Sequence, residues 1–366
     1  MTFIPSAGGL VPVLLVILAV AALASFLLTP PIRRIAIRLD AIDRPDHRRV
    51  NTSPIPRGGG VAVVISFVGV ALIVLGVNAV FQIVPVPFTV QPSDLIGLLL
   101  GGVLAAAFGV IDDYLDLRAR WQFLGQIGLA LVAIVFGITV DFVANPFGPR
   151  SIQLTGAISA GFTVIWIAGM INAINFIDGL DGLSAGIGFI AAVTLGLISM
   201  STQVAPGGQP FITLLCFVLA GSLLGFLRWN FHPASVFVGT SGVMFLGYTL
   251  AVLSILGTAK VAIAMLILGV PIIDAFWIIV RRLVQRRSPF SPDRGHFHHR
   301  LLDVGLSHRQ TVALIYGICI VLALLALLLS GAQQLYAFVG LFVAIGFVLF
   351  ILARGGFSPD EPEATD

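Results

Sequence analysis

Residues 170–186 read MINAINFIDGLDGLSAG, and the fold is read outward from them. They lie where an apolar run of spanning length, residues 157–175, gives way to polar residues. Asn172, Asn175, Asp178 and Asp181 recur at a strict spacing of three. On an α-helix that spacing keeps four polar groups on one slowly drifting face, and on a tighter turn they align. Gly179 and Gly182 loosen the backbone beside the carboxylates. One such residue at a helix end is a cap. Four in register at a membrane helix end point to a substrate or ion site, because carboxylates are costly there.

Composition settles the class. The chain has 366 residues, of which 58% are apolar and 10% charged, and its mean hydropathy is +1.06. A soluble domain carries about a quarter charged residues. We therefore expect an all-α, polytopic membrane bundle. Eleven apolar runs of spanning length are visible, near residues 9–29, 59–81, 94–111, 121–140, 157–175, 184–201, 210–228, 239–256, 260–280, 311–330 and 334–353. Residues 1–354 read as one transmembrane domain and residues 355–366 as a short acidic, disordered tail. Cys216 and Cys319 both lie in apolar runs, which argues against a disulfide framework.

Eighteen of the 20 basic residues fall in alternate loops, and Arg150 and Lys260 are the exceptions. The basic face is expected to be cytoplasmic, with the N-terminus outside and the C-terminus inside. All six histidines share that face. This crowding of chemistry on one side suits a membrane enzyme better than a channel.

The first basic loop ends in PIPRGGG. Arg57 beside Gly58–Gly60 suits phosphate at a glycine-rich helix start, or equally positive-inside topology. In GVIDDYLDLRAR, Asp112 and Asp113 are adjacent carboxylates that repel, which suits general-base work or Mg²⁺ binding. Asp116 and Arg120 read as an i,i+4 pair. In NFHPASVFVGTSG, Gly239–Gly242 form a small-residue turn, and Asn230 and His232 are either substrate ligands or interfacial anchors. The last basic loop holds PFSPDRGHFHHR. A zinc reading of His296, His298 and His299 is set aside because no suitable fourth ligand is near. With Arg294 and Arg300 beside them, an anion site for diphosphate and sugar fits better. Asp274 is expected to pair with an arginine.

Together these five motifs, in this order from about Arg33 to Asp303, resemble the polyprenyl-phosphate N-acetylhexosamine-1-phosphate transferases. DRPDHRR and the arginine-rich last loop look most like the N-acetylglucosamine branch, which starts O-antigen, teichoic acid or arabinogalactan linkers. The resemblance implies transfer of a sugar 1-phosphate from a UDP-N-acetylhexosamine to a polyprenyl phosphate in the bacterial plasma membrane, with the active site facing the cytoplasm. It implies Mg²⁺, with Mn²⁺ as a substitute. It casts Asp112, Asp113, His298 and His299 as catalytic. It casts Arg57, Asn175, Asp178, Asp181, Arg294, His296 and Arg300 as substrate-binding, and Asn172 and Asp178 as metal-proximal. A homodimer is compatible with such a bundle; nucleic acid is not an expected partner. One departure stands out: the family's glycine turn reads G-D-x-G and its aspartate holds Mg²⁺, whereas here Thr240 takes that place. Asn51 also replaces a common histidine. A catalytically impaired lipid-binding paralogue and a transporter of an anionic solute therefore stay open as alternatives.

Overall fold

The structure is a computed structural model that describes residues 7–44, 54–143, 145, 151–201, 208–257, 261–286, 288, 295–330 and 332–354. Arg48, Arg49, Asn51, Arg294 and the tail at 355–366 lie outside the described residues. In chain order the helices are α1 (Ala7–Arg38), α2 (Gly60–Phe81), α3 (Pro92–Leu115), α4 (Ala119–Val135), α5 (Gly156–Ile177), α6 (Leu183–Ser199), α7 (Pro210–Asn230), α8 (Gly239–Leu256), α9 (Val261–Ile267), α10 (Gly269–Val284), α11 (Phe297–Asp303), α12 (His308–Leu328) and α13 (Ala332–Arg354). Two antiparallel two-residue ladders join β1 (Ile42–Asp43) to β2 (Ile55–Pro56) and β3 (Phe142–Val143) to β4 (Ile152–Gln153).

Among the described residues, seven helices, α1, α2, α3, α5, α7, α8 and α12, are long and apolar enough to cross a membrane. The chain is thus an all-α polytopic membrane protein, whose backbone polar groups are satisfied within each helix. α4, α6 and Ala332–Phe347 are shorter apolar helices. The ninth apolar run, expected to be continuous, is broken: α9 and α10 meet at 82°. Pro271 has no N–H for the Ile267 carbonyl, and α9 stops at Ile267.

α7 and α8 are central, with 94% and 83% of their apolar windows covered by protein, whereas α1 has 28% covered. α1 runs through Pro30 and Pro31 without ending. Pro30 leaves the Phe26 carbonyl without its helical donor, and the Trp229 indole N–H on α7 supplies one at 3.1 Å. Ser66 on α2 donates to the Ala21 carbonyl at 2.8 Å and meets Ser222 of α7 at 3.0 Å. Such polar contacts join helices where apolar burial alone gives little preference among neighbours.

Candidate active site

Asp113 lies in the last turn of α3. One turn earlier, a Cβ on Gly109 would stand 2.4 Å from the Ser241 Cα. The missing side chain lets the first turn of α8 start against α3. The Asp113 carboxylate then accepts the Thr240 N–H at 2.7 Å and the Ser241 N–H at 3.0 Å. First-turn amides lack helical partners and carry the positive end of the helix dipole, so a carboxylate is favoured there. Thr240 meets Asp113 through its main chain.

Asp112 does different work from its neighbour. It is 5% exposed and accepts the Leu117 N–H at 3.1 Å and the Gln122 amide at 2.9 Å. It closes the α3–α4 turn. Asp116 sits at φ 50 and caps α3, while α4 starts only at Ala119. The expected Asp116–Arg120 pair therefore has no shared helix on which to form.

The PIPRGGG segment is also spent on structure. The Gly59 and Gly60 N–H groups donate to the Phe237 and Val238 carbonyls, both at 2.9 Å, so they do not present themselves to a phosphate. Arg57 donates to Asp43 at 2.6 Å and pins the β1–β2 ladder, while its charge also reaches Asp113.

α5 ends at Ile177, and Asp178 is its C-cap. The Ser184 hydroxyl of α6 donates to Asp178. Burial pushes the Asp178 carboxyl up to about 7; the Ser184 bond opposes this, and the charges of Asp113 and Asp181 add to it. Asn175 stands one turn before it, half-buried. Asn172 is engaged elsewhere: its amide donates to Gln126 of α4 at 2.5 Å and to the Ala168 carbonyl at 2.8 Å. Asp181 binds the turn after α7, with His232 Nδ1 at 2.7 Å and the Ala234 N–H at 3.0 Å. Asn230 is turned inward to the Val236 carbonyl at 3.0 Å.

The histidine motif folds as α11 and docks on the same loop. Asp274 of α10, 1% exposed, accepts the Phe297 N–H at 2.8 Å and pairs with His296 Nδ1 at 2.9 Å. Its partner is thus a histidine and a backbone amide, where an arginine was expected. The His296 ring lies 5.2 Å from that of Phe176, within the NFIDG motif. His298 packs over Gly179, where a Cβ would stand 2.2 Å from its Nε2. It is 2% exposed, and neither ring nitrogen has a hydrogen-bond partner among the described residues. Burial, aided by the charges of His299, His296 and His308, holds its pKa well below the usual histidine value. The His299 ring lies 4.3 Å from that of His298. Buried Arg300 donates to the Gly295 carbonyl at 2.9 Å.

The structure thus gathers Asp113, Asp178, Asp181, His298 and His299 at one end of the bundle. Asp113 and Asp178 are hard oxygen donors close enough for their charges to repel. That is the donor chemistry a Mg²⁺ ion takes, a few carboxylates completed by phosphate oxygens and water.

Residues 95–258 match the model of Glycosyl transferase family 4. A probable undecaprenyl-phosphate N-acetylglucosaminyl 1-phosphate transferase of Bacillus subtilis (strain 168) is 37% identical over 91% of this chain and 89% of its own length. The chain belongs to glycosyl transferase family 4. Within that family, the decaprenyl-phosphate N-acetylglucosaminephosphotransferase of Mycobacterium tuberculosis (strain ATCC 25618 / H37Rv) is 34% identical over 81% of this chain and 77% of its own. The undecaprenyl-phosphate alpha-N-acetylglucosaminyl 1-phosphate transferase of Thermotoga maritima is 30% identical over 91% and 97%.

Asp43 and Gly109 lie inside quoted motifs, DRPDHRR and GVIDD, but their structural roles are visible only through their partners, and Tyr316 carries no motif signal. His308 had one usable cue: Ser307 and Gln310 form a capping box, which places His308 first in α12.

Proposed function

We infer that this family 4 chain transfers N-acetylglucosamine 1-phosphate from UDP-N-acetylglucosamine to undecaprenyl or decaprenyl phosphate. The reading rests on residues from three separate motifs: Asp113, whose charge reaches Asp178, and His298, which packs over Gly179 next to Asp178. The relatives are named for this transfer to the same two lipids.

In the proposed step an oxygen of the lipid phosphate attacks the β-phosphorus of the donor. The bond from that phosphorus to the bridging oxygen breaks, and UMP leaves with it. Asp113, held by two backbone amides, takes or orients the remaining proton of the lipid phosphate. Neutral His298 and its neighbour His299 donate N–H groups to the diphosphate, and Arg300 adds positive charge. Asp113 and Asp178 would hold Mg²⁺, which supplies neutralisation of diphosphate charge when bound. Positioning and charge stabilisation carry most of the rate.

The broken α9–α10 pair counts as one crossing in this reading, and α4, α6 and α13 as three more. That reading makes eleven crossings with the basic, catalytic end cytoplasmic. Thr240, in place of an acidic ligand, favours a second reading in which the chain binds polyprenyl phosphate without turning over.

The test is purified protein reconstituted with undecaprenyl phosphate and Mg²⁺, given a panel of UDP-hexosamines. Release of UMP together with a lipid diphospho-sugar from the N-acetylglucosamine donor is expected. Lipid binding without UMP from any donor supports the second reading.

A further inference from the structure

We propose that Asp181, His232 and His308 bind one divalent transition-metal ion of the Zn²⁺ class, at a ligand set distinct from Asp113 and Asp178 but close enough for Asp181 to act on Asp178. One ligand atom from each residue lies within 4.8 Å of the others. They come from three segments: the DGLDG turn, the turn after α7, and the first residue of α12. His232 Nδ1 lies 2.7 Å from an Asp181 oxygen, and the His232 and His308 rings stack with centroids 4.2 Å apart.

A carboxylate–imidazole hydrogen bond accounts for Asp181 and His232 by themselves. It leaves Nε2 of His308 over, although the His308 ring also hydrogen-bonds the Asp181 backbone. Nε2 of His308 is buried and has no hydrogen-bond partner among the described residues. Buried polar atoms are almost always satisfied, and one left over beside a carboxylate and a second imidazole marks a missing ligand. The His232 side chain is 40% exposed, which gives it room to rotate onto an ion and leaves a coordination position facing solvent. Two imidazoles and one carboxylate make a nitrogen-rich set. Such a set suits Zn²⁺, with Mn²⁺ weaker, and suits Mg²⁺ poorly. A bound ion would clamp the loop carrying Asp178 and Asp181 to α12.

This proposal does not depend on the identity of the sugar donor, because metal retention is read without substrate. Full-length protein in detergent is stripped with EDTA, then dialysed against Zn²⁺ with Mg²⁺ in excess. Metal content and thermal unfolding are measured. About one Zn²⁺ per chain should be retained, with a rise in Tm that Mg²⁺ alone does not reproduce. His232→Ala and His308→Ala should each lose the ion and the Tm rise, and His299→Ala should keep both. If the alanine variants do not fold, the visible spectrum of Co²⁺-loaded wild type, and its loss on adding Zn²⁺, reads the same site. Zn²⁺ retained equally by the His232→Ala/His308→Ala double variant, displacement by equimolar Mg²⁺, or no retention overturns the proposal. In the last case the three groups form a hydrogen-bonded cluster only.

Discussion

The Tyr316 hydroxyl on α12 donates a hydrogen bond to the carbonyl oxygen of Gly182, the residue that starts α6 at φ +78. The Tyr316 ring fills the space of a side chain on Gly186, where a Cβ would stand 1.8 Å from the phenolic oxygen. A helix late in the chain thereby holds the acidic turn in place.

Tyr316→Phe should lose that bond and about 0.5–1.5 kcal/mol of stability. Gly186→Ala should do more harm, about 1–3 kcal/mol, because the methyl overlaps a ring that has little room to move. Unfolding of both variants in detergent, alongside UMP release, measures this. A Gly186→Ala protein that melts with the wild type would show that α12 does not press on the turn.

Asp112 and Asp113 should separate cleanly. Asp113→Asn removes the charge held by the Thr240 and Ser241 amides, and turnover should fall by about 100-fold or more while the protein still inserts. Asp112→Asn keeps an acceptor for Leu117 and Gln122, so turnover should stay within about threefold, with a stability loss near 1 kcal/mol. Initial rates of UMP release on matched amounts of folded protein compare them. Equal losses would mean that both carboxylates act in the cleft.

The raised pKa of Asp178 has a definite sign. Its carboxyl is pushed up to about 7 in the folded protein, against 3.8 for an aspartate in water. Between those values the folded state holds a proton that the unfolded state has lost. This group's contribution to stability is therefore full below pH 3.8 and is lost as pH rises through about 7. Metal-free protein should lose Tm across that window, and Mg²⁺ should restore it most at the alkaline end. Apparent Mg²⁺ affinity should rise with pH up to about 7 and then level off, since binding displaces the proton. Asp178→Asn should flatten both profiles; profiles unchanged by that substitution would assign them to another group.

Gly179→Ala puts a methyl group into the His298 ring. The ring must tilt or retreat, and because Gly179 is exposed the fold should tolerate this. Turnover should drop about 10- to 100-fold through misplacement of His298, with Tm nearly unchanged. A normal rate in Gly179→Ala would remove His298 from the reacting centre.

Thr240→Asp would add a third carboxylate beside Asp113 and Asp178. The Mg²⁺ concentration for half-maximal rate should fall by about tenfold, since each added carboxylate strengthens a hard-cation site. A titration of UMP release against Mg²⁺ gives that number directly. No change in the Mg²⁺ requirement would place Thr240 outside the metal's reach.

Much of the helical frame was legible because a membrane span is a local property. Its length is set by the bilayer and its apolar run can be counted. α8 covers Gly239–Leu256, matching the run read at 239–256. α2 starts at Gly60 against a run read from 59. The break between α9 and α10 was missed because apolar counting is blind to backbone donors, although Pro271 stood in plain view. The spaced polar motifs were legible for the same local reason, and they were enough to recognise the family.

By itself the sequence determined that this chain is a helical membrane protein and which motifs carry its polar chemistry, since both are written in short-range composition and spacing. Only the tertiary structure decided which of two adjacent carboxylates meets the α8 amides and which closes the α3–α4 turn. Neighbours on a helix point about 100° apart, and the choice of Asp113 rests on α8 packing against Gly109. It likewise decided that Asp274 serves His296 and that Tyr316 holds Gly182, contacts between residues 22 and 134 positions apart. No local rule couples positions so distant along the chain; helix packing brings them within hydrogen-bond reach.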